Sequence, residues 1–292
     1  MSVVVPLSLR EAVDAIAAHP GAVVLAGGTD AMVEVNDGHR RIGHAGGPSV
    51  VVAVDRVAEL RSWSFDPPTR TVTLGAGVTY TEMLAEPLAT MLPALAQAAR
   101  TVGSPQIRNA GTLGGNLGTC SPAGDALPVL SALDAVVHLR GGDVERSLSV
   151  HEFMLGVKRT ALRPDELITG VTVPLLDGWQ GYSKVGVRNA MVIATASACL
   201  AVDRPSRSVR LALGSVAPTI VRCPEAEALA SAAVDWERGA VDDATAARFG
   251  EAAAATSRPI DDHRSTAAYR RHAIAVMARR LLQRAFPQVA TS

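Results

Sequence analysis

An α+β fold is what this 292-residue sequence predicts, and three observations carry it. Short apolar runs of strand length recur along the chain: Ala22 to Leu25, Val50 to Val54, Thr71 to Leu74, Ala135 to Leu139, Leu167 to Val173, Met191 to Val202 and Val209 to Val216. Helix-start signatures fall between them irregularly, not in a repeated strand–helix–strand order. A Pro- and Gly-bearing link, Pro174 to Gly181, marks a boundary. The expected division is a domain over 1–174, with subdomains of about 1–55 and 56–174, and a C-terminal sheet-plus-helices domain over 175–292.

Taken in order, Ser8 and Glu11 form a capping box that opens a helix to about His19, closed by Pro20-Gly21. The run Ala22 to Leu25 feeds a Gly-Gly turn, and Ala31 to Val35 is short helix or extended chain. Asp37 to Pro48 is polar and glycine-bearing, and reads as loop. Trp63 and Phe65, then Asp66-Pro67-Pro68-Thr69, then Thr71 to Leu74 read as a hairpin broken by Gly75-Ala76-Gly77. A second capping box, Thr79 with Glu82, predicts a helix toward Leu88, and another helix runs from Pro93 to Arg100. Asp125 to Leu130 starts a short helix, and Val150 one more helical turn. Past the link, the two long apolar runs belong to one sheet. The Ala-rich stretch Pro224 to Ser257 favours helix, and the last helix spans Thr266 to Phe286. In it Ile274, Met277, Leu281 and Ala285 share a face, opposite Arg271 and Arg279.

Composition excludes several classes. Lys plus Arg number 28 and Asp plus Glu 28, so no bulk positive charge points to nucleic acid. No window approaches the roughly eighteen apolar residues of a membrane span, and the first residues carry no export signal. The three cysteines, Cys120, Cys199 and Cys223, are too scattered for a disulfide framework or a CxxC metal site. Together these predict a cytoplasmic protein with no metal of its own. No G-x-S-x-G occurs and no H-E-x-x-H occurs.

The chemistry lies in two glycine motifs. Ala110 to Asp125 holds five glycines, two threonines, a serine and an asparagine, with no charge before Asp125; such a run favours neither strand nor helix. It offers bare backbone, whose N–H groups turn toward an anion and let it come close. The second motif, Leu25-Ala26-Gly27-Gly28-Thr29-Asp30, puts the same features at the end of a strand. It is neither a Walker loop nor a G-x-G-x-x-G turn. Two such motifs far apart in the chain suggest one diphosphate gripped from two sides. Asp30 is awkward beside an anion and reads as mainly architectural. Asp125 fits either a ribose contact or a helix cap.

These motifs, with Ser121-Pro122-Ala123-Gly124-Asp125, resemble the FAD-binding subunits of molybdenum hydroxylases, the medium subunits of the xanthine and carbon monoxide dehydrogenase type. The resemblance implies a p-cresol methylhydroxylase-like FAD-binding domain of two α/β subdomains followed by a smaller α+β domain. It implies noncovalent FAD, with Leu25 to Asp30 and Ala110, Gly111, Thr112, Gly115 and Asn116 around the pyrophosphate and Gly118 and Thr119 near the adenine end. Val102 falls where relatives present a residue to the ring face. Lys184 matches a position that reaches the flavin, where a lysine would stabilise negative charge; as a residue by itself it reads equally as a surface lysine. Arg188 is a weaker candidate. Leu167 and Ile168 pack either along the cofactor or in the core, and Cys120 reads as a small filler.

The resemblance further implies partners: a large molybdenum-cofactor subunit and a small subunit with [2Fe–2S] clusters, as a dimer of heterotrimers. Electrons would pass through the iron–sulfur clusters to FAD on this chain and on to an outside acceptor. A self-sufficient flavin oxidase of the same fold is the alternative; it would need an acid–base pair in a substrate pocket, and none is visible.

Overall fold

The computed structural model describes residues 2–39, 42 and 47–287. The elements run β1 (Ser2–Val4), α1 (Leu9–Ala18), β2 (Val23–Leu25), α2 (Ala31–Asn36), β3 (Val50–Ala53), a 3₁₀ turn (Ala58–Arg61), β4 (Trp63–Asp66) and β5 (Thr71–Gly75). Then follow α3 (Tyr80–Met83), α4 (Leu88–Met91), α5 (Pro93–Thr101), α6 (Pro105–Ala110), α7 (Leu113–Thr119), α8 (Ala126–Ala132), β6 (Val136–Gly141), β7 (Val144–Ser149), α9 (Val150–Phe153), β8 (Met154–Gly156) and β9 (Arg159–Thr160). The chain continues through β10 (Leu167–Pro174), β11 (Gln180–Val185), β12 (Ala196–Asp203), β13 (Ser208–Gly214), β14 (Val221–Arg222), α10 (Pro224–Ala233), α11 (Asp243–Thr256) and α12 (Ala267–Ala285). The stretch Asp37 to Pro48, expected as loop, lies partly outside the described residues.

Two compact units result. One comprises the residues up to Glu82 with Ser104–Cys120 and Ala135–Pro174; the other comprises Met83–Gly103, Ser121–Asp134 and the chain from Leu175 on. In the first, β1, β3 and β2 form a parallel sheet in that order. Helix α1 buries Ala12, Val13 and Ile16, a helical spacing, and packs on β3. Its Ser8 hydroxyl accepts from the Glu11 N–H at 3.2 Å, as the capping signature requires.

The same unit holds an antiparallel sheet in the order β4-β5-β10-β6-β7. Alternate residues Val72, Leu74, Val137, Leu139, Val171 and Val173 are fully buried, which is the period of a one-sided strand core. The other face is polar. Thr73 and Thr172 share a 2.8 Å hydrogen bond, and His138 bridges Thr172 at 2.7 Å and Ser147 at 2.8 Å. A groove of about 510 Å³ lies there, lined among others by Glu59, Trp63, Thr73, His138 and Glu145. Strand β7 escapes the sequence reading because Val144, Glu145, Arg146 and Ser147 show no apolar alternation; it sits at the sheet edge, where polar side chains are tolerated.

In the second unit β11, β12, β13 and β14 form an antiparallel sheet, packed by α12 on β12 and α10 on β13. Ala196 to Val202 are buried throughout. Ile274, Leu281 and Ala285 of α12 are buried and Met277 is half-buried against the same core, while Arg271 and Arg279 are exposed, as their spacing requires. Phe249 and Phe286 are fully enclosed, and Trp236 meets Phe286 edge-on at 5.3 Å. Each such side chain contributes about 1.5–3 kcal/mol by leaving water.

Two expectations are corrected. The helix begun by Thr79 and Glu82 stops at Met83, short of Leu88, and Pro87 stands at the N-cap of a separate helix, α4. The run Met191 to Val202 enters the sheet only at Ala196. Before it, Met191 adopts φ +49° and the Arg188 guanidinium binds the carbonyls of Ala190 and Met191, which holds that segment in a loop. Among the described residues no helix is long and apolar enough to cross a membrane.

Candidate functional site

The first glycine motif is the continuation of β2. Its ladder with β3 ends where Val54 donates to the Leu25 carbonyl at 2.8 Å. Beyond that, Ala26 to Thr29 are half-buried and Gly28 takes φ +70°, a conformation that turns successive N–H groups to one side. Among the described residues none accepts from the main-chain N–H of Gly27, Gly28, Thr29 or Asp30. Their carbonyls are used: Gly28 accepts from Met32 and Asp30 from Glu34 at the start of α2.

The second motif is not the glycine loop that its composition suggests. Leu113 to Thr119 form α7, capped by the Thr112 hydroxyl, which accepts from the Gly115 N–H at 3.0 Å. Two further first-turn donors are satisfied from outside the helix, Leu113 by the Val78 carbonyl at 2.9 Å and Gly114 by the Ala76 carbonyl at 2.7 Å. Leu113 and Leu117 are fully buried on the side that packs on β10. Glycine costs a helix about 1 kcal/mol per residue; a cap, two tertiary hydrogen bonds and two buried leucines outweigh that. The Gly115 N–H is therefore spent inside the chain, and Thr112 keeps only its hydroxyl hydrogen to give.

What α7 offers outward is bareness. Gly115 and Gly118, one turn apart, are exposed. A Cβ on Gly118 would meet nothing nearer than Ile168 Cδ1 at 3.7 Å. Beside them Asn116 Oδ1 is buried without a hydrogen-bond partner. An orphaned amide end of this kind is costly unless a ligand or water completes it.

The two motifs meet within this unit. A Cβ on Gly27 would stand 1.7 Å from the Ala110 carbonyl oxygen, so only glycine permits the approach. The Thr119 hydroxyl donates to Asp30 Oδ2 at 3.0 Å, and Asp30 makes no side-chain cap to α2. Asp30 thus ties one motif to the other. Gly111 is packed against Ile107 and Tyr80, and Leu167 and Ile168 are buried in β10 beside a bulge. Cys120 ends α7 at φ +45°; it is buried, its thiol pushed up by burial, and acts as filler. Four unpaired N–H groups beside a bare helix face, a hydroxyl and an amide suit a polyanionic linker such as a diphosphate.

The remaining expected residues lie in the second unit. Val102 ends α5 in extended geometry. Asp125 precedes α8 without capping it through its side chain; its Oδ1 accepts from the Tyr182 hydroxyl at 2.7 Å and its Oδ2 from Lys184 Nζ at 2.8 Å. Lys184 also donates to the Thr101 carbonyl at 3.0 Å. It is enclosed rather than a surface lysine, with 6% of its side chain open. Burial raises the Asp125 carboxyl above its usual range, opposed by the Lys184 charge and by hydrogen bonds from Lys184 and Tyr182. The Tyr182 hydroxyl is pushed up by the same burial. Sequence reasoning passed over Tyr182, although two residues apart on one strand puts Tyr182 and Lys184 on the same face. Arg188 spends its guanidinium on its own loop. Among the described residues no cluster suited to a metal ion occurs, and all three cysteines are free.

The chain is similar to known proteins along its length. Residues 1–176 match the family described as FAD binding domain in molybdopterin dehydrogenase, and residues 182–285 match the CO dehydrogenase flavoprotein C-terminal domain. The xanthine dehydrogenase FAD-binding subunit of Escherichia coli O157:H7 is 27% identical, covering 95% of this chain and 93% of that one. The glyceraldehyde dehydrogenase medium chain of Sulfolobus acidocaldarius is 31% identical, covering 75% and 76%. A solved chain of carbon monoxide dehydrogenase from Hydrogenophaga pseudoflava superposes with TM-score 0.84 at 26% identity, covering 99% of this chain and 98% of that one.

Proposed function

Because the chain belongs to the family of FAD-binding domains in molybdopterin dehydrogenases, we propose that it is the medium, electron-transferring subunit of a molybdenum hydroxylase complex. The single observation that carries the site is the meeting of the unpaired N–H groups of Gly27 to Asp30 with the bare Gly115–Gly118 face of α7. Gly27, Gly28 and Thr29 would give main-chain hydrogen bonds to the FAD diphosphate, and the Thr112 hydroxyl and Asn116 amide would complete its shell. Leu25, Ala26, Ala110 and Gly111 shape the floor, and Gly118, Thr119 and Ile168 bound the space beside it. In the second unit Val102, Asp125 and Lys184 are the further proposed contacts. Bound there noncovalently, FAD supplies reversible uptake of an electron pair; the protein binds and orients it and contributes no acid–base catalyst.

The partners of this reading are a large subunit with the molybdenum cofactor and a small subunit with [2Fe–2S] clusters, arranged as a dimer of heterotrimers in the cytoplasm. The names of the relatives, dehydrogenase medium chains and FAD-binding subunits, support it. The division into a FAD-binding part, 1–174, and a C-terminal part, 175–292, belongs to the same proposal. Purification of the chain from its native source tests it: a yellow complex with flavin absorbance and two further subunits is expected. A colourless chain that takes up no added FAD would refute it.

A further inference from the structure

A buried ammonium must place three hydrogens, and Lys184 places two within the protein. Asp125 Oδ2 accepts one and the Thr101 carbonyl another; the third has no protein acceptor among the described residues. With 6% of the side chain open, bulk water is a poor substitute. The polar groove on the sheet of the first unit makes no such demand, since both His138 nitrogens and the Thr73, Thr172 and Ser147 hydroxyls are already paired.

Lys184 is not held by its own chain alone. Tyr182 donates its hydroxyl to Asp125 Oδ1, so the carboxylate is pinned at one oxygen while the other receives the ammonium. Tyr182 is itself fixed, its N–H donating to Gln97 Oε1 on α5 at 2.8 Å. Its ring is almost fully buried. The sequence of contacts is Gln97, Tyr182, Asp125, Lys184, and every member is inside one unit.

Resting on the FAD reading above, we propose that Tyr182 is a positioning residue that acts through Asp125 to hold the Lys184 ammonium with one N–H open to an uncharged acceptor atom of the flavin ring system. Charge decides the class of acceptor. Asp125 cancels the Lys184 charge, so a phosphate at this point would face a carboxylate with no surplus positive charge to offset it. A ring carbonyl or ring nitrogen accepts one hydrogen bond without that penalty. Once the ring gains electrons both ends of this charge-assisted bond carry charge and it strengthens, so the firmness of the ammonium sets the preference for reduced over oxidised flavin.

The test uses the full chain loaded with FAD, reading the two-electron midpoint potential by spectroelectrochemical titration and FAD affinity by fluorescence quenching. Lys184→Met should lower the preference for reduced flavin by about tenfold, which for a two-electron couple is about 30 mV. Tyr182→Phe should shift it about threefold in the same direction, the effect of one hydrogen bond. The double variant should match Lys184→Met alone, because Tyr182 acts only through the lysine. Should Tyr182→Phe fail to fold, the near-isosteric Asp125→Asn serves: its amide oxygen still accepts from Lys184 and its amide nitrogen can donate to the Tyr182 hydroxyl, so the ammonium stays in place while the counter-charge is lost, and the potential should shift upward. A Tyr182→Phe potential equal to wild type while Lys184→Met shifts, additive effects in the double variant, or an Asp125→Asn shift that is downward or absent overturns the proposal. A wild-type chain that takes up no FAD fails earlier and overturns the cofactor reading itself, and this one with it.

Discussion

Gly27 lies so close to Ala110 that a single added methyl would stand 1.7 Å from the Ala110 carbonyl oxygen. Backbone, not a flexible side chain, occupies that point, so the clash cannot be relieved by a rotamer change. Gly27→Ala must push the two motifs apart. Overpacking of this kind costs about 1–3 kcal/mol, and urea unfolding should register it. FAD affinity should fall by more than tenfold, since the separation also moves the unpaired N–H groups from the α7 face.

Gly118 provides the opposite case. Its Cβ position is open, with Ile168 Cδ1 at an ordinary 3.7 Å. Gly118→Ala should raise stability by about 0.8–1 kcal/mol through helix propensity. The same methyl fills the bare face on which the cofactor is proposed to lie, so FAD binding should weaken by about tenfold, or about 1.4 kcal/mol. A stabler protein that binds less FAD separates a site role from a packing role, and thermal unfolding paired with flavin titration checks both at once.

Much of this was legible because local chemistry and burial agreed. Ser8 and Thr79 are helix caps by residue type and by hydrogen bond, and the alternation Val72-Thr73-Leu74 is a one-sided strand in both. The misreading of Leu113 to Thr119 has a physical source: the donors that stabilise α7 are satisfied by the carbonyls of Ala76 and Val78, far away in sequence. Propensity cannot see such partners. The Tyr182–Asp125–Lys184 cluster was half legible, since Asp125 and Lys184 were singled out separately. Their pairing depends on a fold that brings residues 57 and 59 positions apart together.

His138 should make stability depend on pH. Burial holds its imidazole below the ordinary 6.5, with Glu145 acting weakly the other way. Above about pH 6.5 both folded and unfolded chains carry it neutral, and it contributes no slope. Below that value the unfolded chain takes up the proton first, so stability falls as pH drops from 6.5 toward the lower folded value. His138→Asn should flatten that part of the curve. Melting temperature against pH from 7.5 to 5, for both proteins, is the measurement; parallel curves would refute it.

Asp30 and Thr119 test whether a carboxylate beside a proposed anion site has a structural purpose. Their hydrogen bond joins the end of α7 to the start of α2 and is exposed, so its net contribution is about 0.5–1.5 kcal/mol. Thr119→Val and Asp30→Ala should each remove that amount, and the double variant should lose no more than either alone, because both delete one bond. Asp30→Asn keeps an acceptor oxygen and sheds the negative charge. If Asp30 is architectural, Asp30→Asn should preserve stability and bind FAD at least as tightly as wild type, since one repulsion toward the diphosphate is gone. A marked loss of FAD affinity in Asp30→Asn, with stability intact, would instead make the carboxylate itself a ligand contact, accepting from a hydroxyl of the cofactor.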